Sequence, residues 1–218
     1  KVYESFMVGG RVYTTDDITA EMCKLVENTS RDIEIAFANE LSMICNELGI
    51  EVFELIELAN KHPRVNILSP GVGVGGHCIA VDPWFLVEKF PHITKLIKMA
   101  RERNDSKPEW VASKVEEKIN YDKLKKIGIL GLTYKANVDD IRESPSIRLA
   151  HVLQERGYDV YACEPYCKEK QIMGISNLEL EKIIKKTDFL VITLAHEEFL
   201  KNKSKIFRKK NLNIIGLK

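Results

Sequence analysis

From Ile18 to about Leu48 the chain contains neither proline nor glycine. Apolar residues recur there at spacings of three and four: Met22, Leu25, Val26, Ile33, Phe37, Leu41, Ile44 and Leu48. That period belongs to one long amphipathic α-helix. Thr15 and Asp16 can cap its start, because a short side-chain oxygen accepts a hydrogen bond from the free amides of a first turn. Gly49 stops it. A helix of this length, with so many apolar positions, exceeds what one small helical domain can bury. The expected partner is a second copy of the chain, with the helix at the core of a symmetric homodimer.

The remainder divides in two. A shorter helix is expected around Val52 to Asn60. Residues 62 to 83 hold three prolines and four glycines and read mostly as loop. Two more helices are expected near Pro83–Arg103 and Pro108–Ile119, with each proline at a helix start. At Lys123 the pattern changes to strand–helix alternation. Strands are expected at 126–132, 159–163, 189–193 and 212–215, with helices over 146–156 and 178–186. Such alternation builds a parallel sheet. The fold class is therefore α/β: a helical domain at about 1–120, then a doubly wound, Rossmann-like domain at about 121–218.

Composition excludes several function classes. Lys and Arg number 33 against 32 Asp and Glu, a net charge of +1. That balance gives no bulk basic surface, so nucleic acid is not an expected partner. No apolar run is long enough to span a bilayer, and no secretory signal is present, so no membrane partner is expected. The five cysteines form no C-x-x-C pair, and Cys163 and Cys167 lack nearby histidines for a metal site. Reduced thiols in a cytoplasmic protein are the expectation. The chain opens on Lys1 rather than methionine and stops at Lys218 after an apolar run, which reads as a segment of a longer protein.

Four motifs carry possible chemistry. Gly71, Gly73 and Gly76 match the spacing G-x-G-x-x-G, but Pro70 precedes them and no helix opens before Pro83. The strand–turn–helix context of a dinucleotide fingerprint is missing. These glycines are expected to let backbone approach a bulky ligand. Cys78 ends the same loop. A lone cysteine is usually a small buried hydrophobe, but a glycine-flanked thiol can act as a nucleophile if a neighbour stabilises its thiolate, and His77 is one candidate. Asp82 reads first as an N-cap before Pro83. Lys24 and Asn28 share a face of the long helix at i and i+4; they can serve a developing oxyanion or simply form a solvated polar stripe. In the second half, Gly128 and Gly131 follow the first strand and suit a phosphate ligand, with Lys135 and Arg142 as possible cations; a tight turn with solvated charges fits equally.

Three segments together carry a resemblance. Ala20-Glu-Met-Cys-Lys24-Leu-Val-Glu-Asn28, Gly73-Val-Gly-Gly-His-Cys78-Ile-Ala-Val-Asp82-Pro and Gly131-Leu-Thr-Tyr-Lys135-Ala-Asn-Val-Asp-Asp-Ile-Arg142-Glu-Ser-Pro stand in the order found in the UDP-glucose/UDP-N-acetylhexosamine 6-dehydrogenase family. The chain resembles that family's middle and C-terminal domains; the N-terminal NAD-binding domain has no counterpart in it. The Gly-Gly-His-Cys form of the loop, followed by Asp-Pro-Trp, and the run Lys61-His-Pro-Arg64 resemble the N-acetylated branch. Val72 departs from that branch, where proline is commoner, and is expected to loosen the loop slightly.

The resemblance implies a four-electron oxidation of a UDP-sugar at C6 with NAD as cofactor. Cys78 would be the covalent residue. Lys24 and Asn28 would stabilise the oxyanion, and Asp82 would assist proton transfer or hold Lys24 and water. Arg64 would reach the sugar, from a neighbouring subunit. Gly75, Tyr134 and Lys135 would meet the UDP portion, and Arg142 the NAD side of the cleft. Two other classes stay open: a non-catalytic UDP-binding dimerisation module, and a cysteine hydrolase.

Overall fold

The computed structural model describes residues 5–6 and 10–216; the chain ends on which the segment reading rests, Lys1 and Lys218, lie outside them. Helix α1 spans Asp17–Leu48. Asp16 opens it, its carboxylate accepting the Thr19 amide at 2.9 Å. Gly49 closes it with a φ of 68°, a left-handed conformation that costs glycine nothing.

The face α1 turns toward the rest of the chain is largely polar. Asn28, Thr29, Asp32 and Asn39 are buried, alongside small Ala36, Ala38 and Cys45. Ile18, Val26, Phe37, Ile44 and Leu48 are exposed. Periodicity reveals that a helix has two faces; it does not say which one meets the rest of the chain. Here the polar face is satisfied by long-range hydrogen bonds, while part of the apolar row looks outward and Met22, Leu25, Ile33 and Leu41 are half-buried.

Helix α2 spans Val52–Ala59, and α3 spans Asp82–Lys89. Helix α4 then runs unbroken over Lys95–Lys118, with Pro108 in its interior. The expected helices near 83–103 and 108–119 are thus wrongly divided: the first is split at residues 90–94, and Pro108 starts nothing. An interior proline costs roughly 3 kcal/mol. Val111 and Val115 beyond it are completely buried, and each contributes about 1.5–3 kcal/mol when removed from water, which offsets that cost. The first half of α4 packs on α1, and its second half enters the core of the sheet.

Strands β1 (Lys126–Leu130), β2 (Asp159–Cys163), β3 (Gln171–Ile172), β4 (Ile175–Asn177), β5 (Phe189–Ile192) and β6 (Asn211–Asn213) form one sheet in the order β3-β4-β2-β1-β5-β6. β1 lies at its centre, parallel to β2 and β5. Helices α5 (Pro145–Glu155), α6 (Leu180–Lys186), α7 (Glu197–Lys201) and α8 (Lys203–Ile206) complete the domain. Alternate residues of β5 feed two separate cores. Phe189 and Val191 join α4 and α5, while Leu190 and Ile192 join α6, α7 and α8. This is the doubly wound arrangement. One correction applies: the sheet is mixed, because β3 pairs antiparallel with β4. That hairpin turns at Met173 and Gly174, both at positive φ, as a tight two-residue turn requires. Its strands of two and three residues are too short to leave a periodic signal.

Candidate active site

The i, i+4, i+8 residues Lys24, Asn28 and Asp32 share one side of α1, with Asn28 and Asp32 buried and Lys24 exposed. Lys24 Nζ donates to Asn28 Oδ1 at 3.5 Å, and Asn28 Nδ2 donates to Asp82 Oδ2 at 2.5 Å. Asp82 is therefore not an N-cap. It is the first residue of α3, and no side chain caps that helix. Its carboxylate instead reaches across to α1. The carbonyl of Cys78 accepts the amides of Val81 at 3.0 Å and Asp82 at 2.8 Å. The half-buried Cys78 thus sits one turn before Asp82, and Lys24, Asn28 and Asp82 form one hydrogen-bonded chain leading to its loop.

The polar face of α1 also holds the start and middle of that loop. Asn39 Oδ1 accepts the Gly71 amide at 2.8 Å, and Arg101 donates to the Val74 carbonyl at 3.4 Å. Arg101 is itself completely buried, paired to Asp32 and, at 2.7 Å, to Asp105. Asn104 links the pieces, donating to Asp32 at 2.8 Å and accepting from Asn39 at 2.9 Å. Burial pushes the Asp32 carboxyl up from its ordinary range, against the pull of Arg101 and Asn104. Sequence reading missed Asp32, Asn39, Arg101 and Asn104. The available signal was the four-residue spacing that continues from Asn28 to Asp32.

Three of the loop glycines let the loop pack closely on the protein. A Cβ on Gly73 would lie 2.8 Å from the Asn104 carbonyl, one on Gly75 would lie 2.4 Å from the Glu143 carbonyl, and one on Gly76 would lie 3.0 Å from the Tyr134 ring. The space each glycine leaves is filled by protein. Pro108 cannot donate to the Asn104 carbonyl, and the Gly73 backbone lies against that same group. Val72 is 4% exposed and packs into the sheet's core, so it anchors the loop rather than loosening it.

From the α/β domain, Tyr134 lays its ring on Gly76, and the Arg142 carbonyl accepts the Gly76 amide at 3.0 Å. The Arg142 guanidinium folds back onto Asp140 at 2.6–3.1 Å and holds that carboxyl down at about 2. Arg142 is raised first by those hydrogen bonds and, to a smaller degree, by Tyr134 and Cys78. The cation within electrostatic reach of the thiol is thus Arg142, while His77 feels Asp140. Lys135 and Arg64 are exposed, and among the described residues neither side chain is joined to this constellation. Burial raises the thiols of Cys45 and Cys163, and raises Cys167 to about 11.

The residues present do not fit a dinucleotide. The G-x-G-x-x-G run opens no helix, and in the α/β domain the amides of Leu132 and Thr133, where β1 ends, already donate to the Glu164 carboxylate at 2.7 and 3.1 Å. The chain's own carboxylate thus fills the inner side of this turn. Leu194 takes the space beside Gly131.

Residues 18–106 match the UDP-glucose/GDP-mannose dehydrogenase family, central domain, and residues 128–215 match the same family's UDP binding domain. An NDP-N-acetyl-D-galactosaminuronic acid dehydrogenase of Ralstonia nicotianae is 49% identical over 204 residues, covering 92% of this chain and 48% of that protein. A UDP-N-acetyl-D-mannosamine dehydrogenase of Methanocaldococcus jannaschii is 47% identical over 218 residues, covering all of this chain and 48% of that protein. Among solved structures, the UDP-D-ManNAc dehydrogenase of Pyrococcus horikoshii superimposes with a TM-score of 0.87 at 36% identity, over 100% of this chain and 52% of that one. The UDP-N-acetyl-mannosamine dehydrogenase of Staphylococcus aureus gives 0.84 at 42% identity, over 99% of this chain and 52% of that one. The chain spans about half the length of the curated relatives it matches. No helix among the described residues is long and apolar enough to cross a membrane. With both of its halves matched, the chain belongs to the UDP-glucose/GDP-mannose dehydrogenase family and comprises its central and UDP binding domains.

Proposed function

We propose that this chain forms the substrate-holding part of an enzyme that oxidises C6 of a UDP-N-acetylhexosamine to the uronate. UDP-N-acetyl-D-mannosamine is the first candidate substrate, and Cys78 is the covalent residue. The observation that carries the reading is the hydrogen-bonded set Lys24–Asn28–Asp82 closing on the loop of Cys78. NAD, when bound, would supply the electron acceptor for both oxidation stages.

This chain's own residues act at C6. The Cys78 thiolate adds to the aldehyde carbon, and the carbonyl oxygen takes up the charge. Lys24 and Asn28 face that oxygen as donors. Sulfur addition turns a poor electron donor into a good one, and the oxidised adduct is a thioester. Water then attacks the thioester carbon, the C–S bond breaks, and the thiol is restored as the carboxylate leaves. Asp82 orients Asn28 and can take the proton of that water. Tyr134 and Lys135 hold the uridine nucleotide, and Arg64 reaches the sugar of a neighbouring subunit.

Joined to an NAD-binding domain, the chain is expected to yield two NADH per uronate from UDP-N-acetyl-D-mannosamine. A one-to-one ratio would remove the four-electron reading. A panel including UDP-N-acetyl-D-glucosamine and UDP-N-acetyl-D-galactosamine decides the sugar. The chain by itself is expected to bind UDP in calorimetry and to make no NADH. NADH from the isolated chain would show that the acceptor site lies within it.

The outward apolar row of α1 supports the homodimer. Phe37 is 54% exposed and Leu96 and Met99 are each 68% exposed, all lining one apolar hollow between α1 and α4. An exposed apolar surface of that kind marks an interaction site, and a second copy presents the same row. Light scattering at micromolar concentration should give twice the chain mass of 24.9 kDa; a monomer there speaks against the assembly.

A further inference from the structure

The α/β domain buries a polar cluster that the proposed chemistry does not use. Glu164 follows β2 and His196 precedes α7, and both side chains are completely enclosed. Besides the amides of Leu132 and Thr133 on Oε2, Glu164 accepts the Tyr166 amide on Oε1 at 3.0 Å. His196 Nε2 lies 3.1 Å from Glu164 Oε2, and His196 Nδ1 lies 3.0 Å from the Asn137 amide nitrogen. An amide N–H can only donate, so Nδ1 carries the lone pair and the ring proton sits on Nε2, donated to Glu164. Stacking on Tyr166 at 5.1 Å and an edge contact with Phe199 at 5.2 Å fix the ring. Burial by itself would raise the Glu164 carboxyl, but bonds from His196 and from the Leu132 and Tyr166 amides hold it below its ordinary value.

The two anchors grip opposite ends of one segment. The carboxylate holds residues 132–133, and the imidazole holds residue 137. Asn137 adopts a φ of 62° and adds its own ties, its Oδ1 accepting the Tyr166 hydroxyl at 3.0 Å and the Glu197 amide at 2.9 Å. Between the anchors stand Tyr134 and Lys135, with the Thr133 hydroxyl donating to the Lys135 carbonyl at 2.8 Å.

We infer that Glu164 and His196 are positioning residues for the nucleotide, holding the segment 132–137 so that Tyr134 and Lys135 meet UDP. The inference rests on the proposed reading of Tyr134 and Lys135 as UDP contacts. It also places the UDP phosphates on the outer side of the segment, because the inner amides are engaged by Glu164.

The test is calorimetric titration of UDP into this chain and its variants, with urea unfolding in parallel. Glu164→Gln keeps the size but not the chemistry. Whichever way its amide is turned, the NH2 meets a donor, either the Tyr166 amide or those of Leu132 and Thr133. UDP affinity should fall about tenfold, the scale of one lost and one opposed hydrogen bond. His196→Leu should fall by a similar factor. His196→Gln offers one acceptor and one donor at nearly the imidazole spacing and should stay within about threefold. Should Glu164→Gln fail to fold, Thr133→Val cuts the tie to the Lys135 carbonyl without adding a buried donor, and should also weaken UDP. Unchanged UDP affinity in folded variants, with only the urea midpoint lowered, would make the pair a plain stabiliser and overturn the inference. Absence of UDP binding by the unaltered chain would remove the nucleotide reading itself, and the inference with it.

Discussion

Replacing Cys78 by serine in the full-length enzyme is expected to abolish uronate formation while leaving UDP-sugar affinity within about twofold. The loss should be at least about three orders of magnitude, on the scale seen when a covalent nucleophile is deleted. Serine has the same shape, so the loop's hydrogen bonds are untouched: the Cys78 carbonyl still accepts the amides of Val81 and Asp82, and Asn28 still holds Asp82. The difference is chemical. Sulfur is a far stronger nucleophile toward a carbonyl carbon than a serine hydroxyl. Steady-state turnover to NADH and uronate, with substrate affinity measured separately, reads both quantities. Near-normal turnover would remove the covalent mechanism. Reactivity of Cys78 can also be followed in the unaltered chain with a thiol probe resolved by mass spectrometry, since Cys23 is exposed on α1 and serves as the internal standard.

Replacing Arg101 by methionine is expected to lower stability by about 3–5 kcal/mol, the cost of leaving one member of a buried ion pair without its partner. Asp32 would remain enclosed, and one of its oxygens already lacks a hydrogen bond. The double change Asp32→Leu with Arg101→Met removes both charges and should recover most of the loss, because apolar residues of similar volume replace the pair without stranding a charge. Urea unfolding of the three proteins gives the comparison. A single variant within about 1 kcal/mol of the parent would mean that the interior admits water at Asp32 and that the pair is not enclosed as described. The double variant separates two roles. Restored stability with persistently slow turnover would show that Arg101 also matters through the Val74 carbonyl and the loop beyond it.

The second half of the fold was largely legible in the sequence because its signals are local. A short β-rich run ending in glycine, then a helix, then another strand needs no knowledge of distant residues. Hence β1, β2, β5 and β6 stand close to where alternation places them. The β3–β4 hairpin has too few residues for any period to register. Pro108 misled for a different reason: propensity speaks of the isolated helix, and the burial that overrides it belongs to the assembled fold. In the site, Lys24 and Asn28 could be placed on one face from their spacing. That Asn28 meets Asp82, 54 residues away, could not. The same limit hid Arg101 and Asp32, separated by 69 residues. Buried polar pairs carry no periodicity of their own, and a charged residue in a helix reads as a solvated surface until its neighbours are known. Glu164 was hidden by a related effect: a carboxylate after a strand looks like any loop acid until the amides it accepts are seen.

Helix α1 has one more consequence. Most surface helices keep a solvent-facing side on which substitutions accumulate freely, so their histories look noisy. α1 has its inward side occupied by Asn28, Asp32 and Asn39, and its outward side lined by Val26, Phe37, Ile44 and Leu48. With the outward row covered in the proposed homodimer, little of its circumference is left for drift. Freedom should be confined to the narrow seams between the two rows, at positions such as Arg31 and Glu34, which are exposed. A collection of tolerated variants would therefore show α1 as unusually quiet for a helix that touches so much water, and its rare changes would fall along two thin lines rather than over a broad face.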